Sequence, residues 1–254
     1  MTAPRILAAH DAATTGYTLL VGSEADEVRA AQRLRYRVFA EEMGALLHSP
    51  EPGLDVEPLD EYCDHLLVRE DATGEIVGTY RMLPPDRAKA AGRLYGEAEF
   101  DLAAIAPLRD ILVETGRSCV HRDHRNGAVI NLMWSGIARY LHLTGHRWLA
   151  GCASIGLDDG GATAGGVSVL GLTRHLAPPR LRVTPRVPYD IPAGTDPISY
   201  AKVPPLLRGY LRLGAWVCGP PALDADFRCA DLFLLLSLDR VDPRYLKHYL
   251  GDNA

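Results

Sequence analysis

The sequence predicts a single domain of the α/β (α+β) class over residues 1–254. Three observations point there. Between Ile111 and Ser154 a strand, a polar turn, an apolar-periodic helix and a second strand follow one another, the order of a βαβ crossover. A hairpin signal precedes that unit, and a helix, two strands and a last helix follow it. The 254 residues are 47% hydrophobic and 23% charged, enough to bury a core without a disulfide or metal staple.

Taken in order, residues 1–16 read as a loose N-terminus and Tyr17 to Val21 as a short strand. Ser23 is a good N-cap, and Glu24, Asp26 and Glu27 stand in the first turn of the next helix, where its dipole favours acids. Val28, Ala31, Leu34, Val38 and Phe39 recur at helical spacing, so this helix is expected to reach about Met43 and to end at Gly44. Residues 44–64 form a loop. From Glu41 to Asp64 there are eight carboxylates and no Lys or Arg, which makes either a solvated acidic surface or one that receives a cation. His65 to Glu70 and Glu75 to Leu83 read as strands joined by a tight turn.

Ile111 to Val120 is the next strand, with a bulge or close approach expected at Gly116. The turn His121 to Gly127 opens a helix whose inner face is Ile130, Met133, Trp134, Ile137, Tyr140 and Leu141, capped by Gly145. Trp148 to Ser154 is a buried strand. Residues 156–202 read as an irregular insertion holding one helix that ends near His175, because eight prolines between Pro178 and Pro205 resist regular structure. Residues 203–254 complete the fold: a helix over Leu206 to Leu213, strands at Ala215 to Cys218 and Asp231 to Leu238, and a helix over Pro243 to Leu250.

Composition excludes several functions. With 27 Lys+Arg against 32 Asp+Glu, a general grip on nucleic acid is not expected. Five cysteines without a C-x-x-C pair read as reduced thiols in the cytoplasm. There is no secretory signal, and the longest strongly apolar run, Leu232 to Leu238, falls far short of the roughly 20 residues of a membrane helix, so any membrane contact is peripheral. No Walker sequence, dinucleotide fingerprint, nucleophile elbow or zinc spacing occurs.

The informative segment is 111–134. Glu114 and Arg117 stand on a strand, and Arg125-Asn126-Gly127-Ala128 opens a helix. A helix N-terminus offers unpaired N–H groups and a positive dipole end to a phosphate, and Arg125 adds a charge-assisted contact. Similar turns also occur in βαβ units that bind nothing.

These residues resemble the acyl-donor turn of the GNAT acyltransferase superfamily, R-x-x-G-x-G/A, with Ala128 and Ile130 in place of its glycines. Glu114-Thr-Gly-Arg117-Ser-Cys-Val120 is similar to the E-x-S/G-R-x-x-V strand of acyl-homoserine-lactone synthases and ornithine-lipid N-acyltransferases. Arg35-Tyr-Arg-Val-Phe39 resembles their early R-x-x-x-F helix, Gly78-Thr-Tyr-Arg81-Met-Leu-Pro84 their G-x-x-R-L-L-P strand end, and Asp55 to Asp64 their substrate-side acids. The blocks over 117–146 and 204–227 resemble the ornithine-lipid branch more closely.

The resemblance implies a mixed, twisted sheet whose fourth and fifth strands splay around a phosphopantetheine arm. It implies transfer of a fatty acyl group, often 3-hydroxylated, from acyl carrier protein to the α-amine of ornithine or a similar amino acid. Acyl carrier protein (or acyl-CoA) is then a co-substrate, with no prosthetic group and no metal. Glu114 is the expected base and Tyr210 the proton donor to the leaving thiolate. Asp60 and Glu57 would hold a cationic side chain, Arg81 or Arg117 its carboxylate, and Arg35 and Phe39 belong to the same substrate side. Backbone N–H groups at Ser118, Cys119 and Val120 would polarise the thioester carbonyl, beside the donor turn Arg125, Asn126, Gly127 and Ala128. Cys119 reads as a core thiol. Trp134, Leu149, Val167, Leu170 and Trp216 offer an apolar slot or plain core, and Arg174, Arg180, Arg182 and Arg186 a docking patch for an acidic carrier or plain solvated charge. Two competing readings stand beside this one: an acyl-CoA-dependent N-acyltransferase of another amine, and a non-catalytic lipid- or carrier-binding protein. The expected location is the cytoplasm, with peripheral contact at the inner membrane face where an amphiphilic product would go.

Overall fold

In the computed structural model the described residues are 6–9, 16–22 and 24–250, with only the backbone considered at 6–9 and 246–248. The chain forms β1 (Ile6–Ala9), β2 (Tyr17–Gly22) and α1 (Ala25–Tyr36), which continues as a π-helix over Arg37–Glu42. A 3₁₀ turn (Pro58–Tyr62) leads to the hairpin β3 (Asp64–Glu70) and β4 (Ile76–Leu83), then α2 (Pro85–Ala91), a 3₁₀ turn (Tyr95–Ala98) and β5 (Phe100–Asp101). The crossover unit is β6 (Leu112–Val120), α3 (Gly127–Thr144) and β7 (Trp148–Gly156). After it come α4 (Ala162–Arg174), β8 (Thr184–Pro185), α5 (Pro205–Arg212), β9 (Trp216–Val217), β10 (Ala222–Asp224), β11 (Cys229–Ser237) and α6 (Pro243–Leu250).

Contacts divide the chain into two compact units. The first holds Met1–Ala91, Thr115–Arg147 and Asp242–Ala254; the second holds Gly92–Glu114 and Trp148–Val241. In the first, strands run in the order β1-β2-β3-β4-β6, with β1/β2, β2/β3 and β3/β4 antiparallel. Both faces are covered, which is why the centres of β2 and β3, Leu19 to Val21 and Leu66 to Val68, are unbroken apolar runs rather than alternating. Leu20 and Leu67 pack with Ala31 of α1 on one face. Leu19 and Leu66 meet α3 on the other, where a Cβ on Gly136 would come within 3.1 Å of Leu19. In the second unit β7, β11 and β10 are neighbours and β9 also pairs with β11. The β7/β11 ladder is antiparallel, from Cys229 opposite Gly156 to Ser237 opposite Trp148. Helix α4 presents a small-residue face to β9, since a Cβ on Gly171 would reach 2.9 Å from Val217.

Several expectations shift. Ser23 lies outside the described residues; the N-cap is Glu24, in a reciprocal capping box with Glu27. The first helix does not stay α-helical to Met43, because its last turn widens into the π-helix before Gly44 takes φ +71°. Strand β1 forms inside the stretch read as loose, with Ile6 opposite Leu20. A Cβ at Gly116 would meet nothing within 4 Å, so nothing approaches closely there, and the left-handed residue of β6 is its neighbour Arg117, at φ 52°. Strand β10 was not visible in the sequence, because three residues carry no periodicity. No helix among the described residues is long and apolar enough to cross a membrane.

Candidate active site

The first unit carries a buried ionic network. Helix α1 places Gln32 and Arg35 one turn apart on its covered face. Arg35, fully buried, donates Nη1 to Asp60 Oδ1 at 3.0 Å and Nη2 to Oδ2 at 2.6 Å, and its Nε lies 2.9 Å from Asp55 Oδ2. Gln32 Nε2 donates to Asp60 Oδ2 at 2.9 Å. Arg81, on β4, pairs with Glu57 and reaches Asp60 Oδ1 at 3.1 Å. Arg117 Nη1 stands 3.5 Å from Asp55 Oδ2, and its guanidinium lies 5.9 Å from the Phe39 ring centre. The left-handed backbone at Arg117 thus accompanies a strand side chain directed to the α1 side of the sheet, where the loop acids sit.

Three arginines and three carboxylates balance. Burial alone would push the Asp60 carboxyl up, but the charges and hydrogen bonds of Arg35 and Arg81 outweigh it and hold the group well below the usual carboxylate range. The residues that the sequence reading grouped on the substrate side (Arg35, Phe39, Glu57, Asp60, Arg81 and Arg117) are therefore brought together. Their first partners are one another, however. Asp60 and Glu57 meet Arg35 and Arg81 instead of standing open to a ligand's cation, and Arg117 meets Asp55. A cavity of about 660 Å³ opens beside this network, lined by Gln32, Glu51, Glu57, Asp60, Glu61 and Asp64 among others. Its five carboxylates outnumber its two arginines, Arg29 and Arg87.

The donor turn is also in the first unit. Asn126 caps α3 by accepting a hydrogen bond from Val129 N at 3.1 Å, and a Cβ at Gly127 would meet nothing within 4 Å. Arg125 donates Nε to Val120 O at 3.1 Å and grips Glu42 with both Nη atoms. Cys119 is buried, and burial pushes its thiol up to about 12, so it stays protonated as a core thiol should.

In the second unit Glu114 is 2% exposed and accepts two backbone hydrogen bonds, from Tyr95 N at 2.5 Å and Gly96 N at 2.8 Å. Those two bonds fix the 3₁₀ turn Tyr95–Ala98. Gly96 is required there, since a Cβ would sit 2.9 Å from Phe233 and 3.1 Å from Glu114 Oε1. Near Glu114 lie Glu99 and Asp231. Burial, Asp231, Asp224 and Glu114 together push the Glu99 carboxyl up to about 10, and burial raises Asp231 as well, so the pair retains a proton at neutral pH. Tyr210 is buried on the inner face of α5 with Leu207 and Leu211.

Of the apolar candidates, Trp134 is in the first unit, against Tyr249. Leu149, Val167 and Leu170 are core of the second, where Trp216 stacks on Trp148 with Arg240 at 3.8 Å over its ring. Arg174, Arg180, Arg182 and Arg186 are all exposed. Sequence reasoning missed Gln32, Glu42, Glu99 and Asp231. One turn of helix before Arg35 signals Gln32, and a lone acid opening the run DLFLLLS signals Asp231; nothing in the sequence signals Glu42 or Glu99.

Residues 34–135 match the acetyltransferase (GNAT) domain family. The chain is 34% identical over 250 residues to an L-ornithine N(alpha)-acyltransferase of Rhodobacter capsulatus, covering 94% of this chain and 96% of that protein. It is 33% identical over 239 residues to an enzyme of the same name from Brucella abortus, covering 87% and 84%. Among solved structures, the CoA-dependent acyl-homoserine lactone synthase BjaI with SAM and isopentyl-CoA superposes with a TM-score of 0.51 at 18% identity, over 91% of this chain and 85% of that one. That likeness establishes a GNAT-like α/β fold.

Proposed function

This chain belongs to the L-ornithine N(alpha)-acyltransferase family, and on that premise we propose that it moves a fatty acyl group, with or without a 3-hydroxyl, from acyl carrier protein to the α-amine of ornithine or a similar amino acid. The observation that carries the acceptor is the acid-lined cavity beside Asp60. A diamino acid brings two cations and one carboxylate, and a wall rich in carboxylates suits it. The network behind keeps Asp60 ionised and holds both Asp60 and Glu57 in place, so the negative wall is pre-set before the acceptor arrives.

The chemistry needs few parts. Ornithine's α-ammonium loses a proton to Glu114, which the N–H groups of Tyr95 and Gly96 hold in place. The free amine attacks the thioester carbonyl carbon. N–H groups around Ser118, Cys119 and Val120 stabilise the oxyanion. Collapse breaks the C–S bond, Tyr210 protonates the departing thiolate, and the second proton released by the attacking nitrogen restores the Tyr210 phenol. No covalent intermediate on the protein is needed, in keeping with the protonated Cys119. The turn Arg125, Asn126, Gly127 and Ala128 receives the phosphate of the donor arm, and the exposed Arg174, Arg180, Arg182 and Arg186 suit an acidic carrier protein. The product places this step in ornithine-lipid biosynthesis.

The test is direct. Purified protein is incubated with ornithine and either 3-hydroxyacyl carrier protein or the matching acyl-CoA, and amide is followed by mass spectrometry. Amide from the carrier substrate is expected. Amide from acyl-CoA alone overturns the carrier donor, and no amide with any amine overturns the enzyme reading.

A further inference from the structure

Arg125 is fully committed within the protein. Its Nε donates to Val120 O at 3.1 Å, Nη1 to Glu42 Oε1 at 2.5 Å and Nη2 to Glu42 Oε2 at 2.8 Å, a bidentate pair across 83 residues of sequence. Glu42 is the last residue of the π-helix Arg37–Glu42, so a widened turn of the kind found at functional sites delivers it. The hydrogen bond from Arg125 outweighs partial burial and, helped by Arg122 and His121, holds the Glu42 carboxyl below its ordinary range. A carboxylate therefore already occupies Arg125, the arginine next to the α3 cap.

The other donors of this turn are limited. Asn126 takes the N–H of Val129, and Ala128 and Ile130 stand where a looser loop would carry glycines. What remains open is the helix end at Gly127, where no side chain intrudes. Such a site has room for one phosphate but sets a fixed negative charge beside any second one. The phosphopantetheine arm of a carrier protein brings a single phosphodiester. Coenzyme A brings the same arm with a diphosphate and a further ribose phosphate.

We propose that Glu42 is a donor-specificity residue: by holding Arg125 it selects the singly phosphorylated arm of a carrier protein over coenzyme A. This rests on the reading of the α3 turn as the donor-phosphate site. Released from Glu42, Arg125 would turn its fork to the additional phosphates of coenzyme A, at a site where anion charge would otherwise repel them.

The experiment compares acyl-phosphopantetheine with acyl-CoA carrying the same chain, so that carrier docking does not enter. kcat/KM is measured for both donors with wild-type protein, Glu42→Ala, Glu42→Gln and Arg125→Gln, and affinity for coenzyme A itself is read by titration calorimetry. Glu42→Ala is expected to shift the ratio toward acyl-CoA by about tenfold, ~1.4 kcal/mol, with Glu42→Gln shifting it in the same direction and by less. Coenzyme A affinity should rise in parallel, and the wild-type preference should shrink with added salt. If Arg125→Gln raises KM for both donors while neither Glu42 variant moves the ratio, the selector role is overturned and the donor site stands. If Arg125→Gln leaves both donors and coenzyme A binding unchanged, the donor-site reading itself fails.

Discussion

Arg35 and Asp60 face each other through two hydrogen bonds, at 3.0 and 2.6 Å, with side chains 0% and 6% exposed. The pair ties α1 to the loop that leads into β3. Removing Arg35 leaves Asp60 and Asp55 buried with their longer contacts to Arg81 and Arg117, and breaking a buried pair in this way costs roughly 3–5 kcal/mol. Arg35→Ala is therefore expected to lose that much stability in urea unfolding with an unchanged m-value. A loss below about 1 kcal/mol would mean that Gln32 and Arg81 hold Asp60 without it.

Because Asp60 is committed to arginines, the acceptor's side-chain cation should look to the cavity mouth. Glu61 lines that cavity and is exposed. Glu61→Gln should raise KM for ornithine several-fold and leave a neutral amino acid unaffected, with melting temperature near wild type. Equal effects on charged and neutral acceptors would remove Glu61 from recognition.

Replacing Glu114 by Gln keeps the shape and one acceptor oxygen for the 95–96 turn. As the base, it should cost about 10²–10⁴-fold in kcat. Gly96→Ala separates the two roles of this contact. Its added methyl must displace Phe233 or Glu114, so it should lower stability first. If Glu114→Gln lost stability but retained kcat, the residue would be a strut for the turn and nothing more.

Glu99 gives the protein a pH signature. Unfolded, its carboxyl ionises near its ordinary 4.5; folded, it keeps a proton up to about 10. Between those values the folded state binds more protons, so stability falls as pH rises through the window. Asp231, raised from its ordinary 3.8, acts in the same direction. Glu99→Gln should flatten the fall measured by denaturant unfolding at pH 5, 7 and 9. An unaltered slope would show that the proton resides elsewhere.

Much of the fold was legible because its signals are local. The hairpin turn, the opening of α3 at Arg125 to Ala128, the stop Gly145 and the helix after Pro204-Pro205 all lie within a residue or two of where the sequence puts them. Turn and cap preferences act over a few residues, so a short window contains them. The π-helical end of the first helix was not legible, since Val38 and Phe39 keep a spacing that α and π turns both satisfy over one turn.

The sequence by itself determined the class of fold, the membership of the family and the residues that gather in the buried ionic network, because periodicity and motif spacing are written along the chain. Only the tertiary structure decided which charges answer which. Arg35 turns inward to Asp60, Arg125 pairs with Glu42, and Glu99 is brought close to Asp231, which together with burial pushes its carboxyl up. Charge pairing depends on distance and desolvation. Both are set when segments far apart in sequence pack together, and neither can be read from a charge's neighbours along the chain.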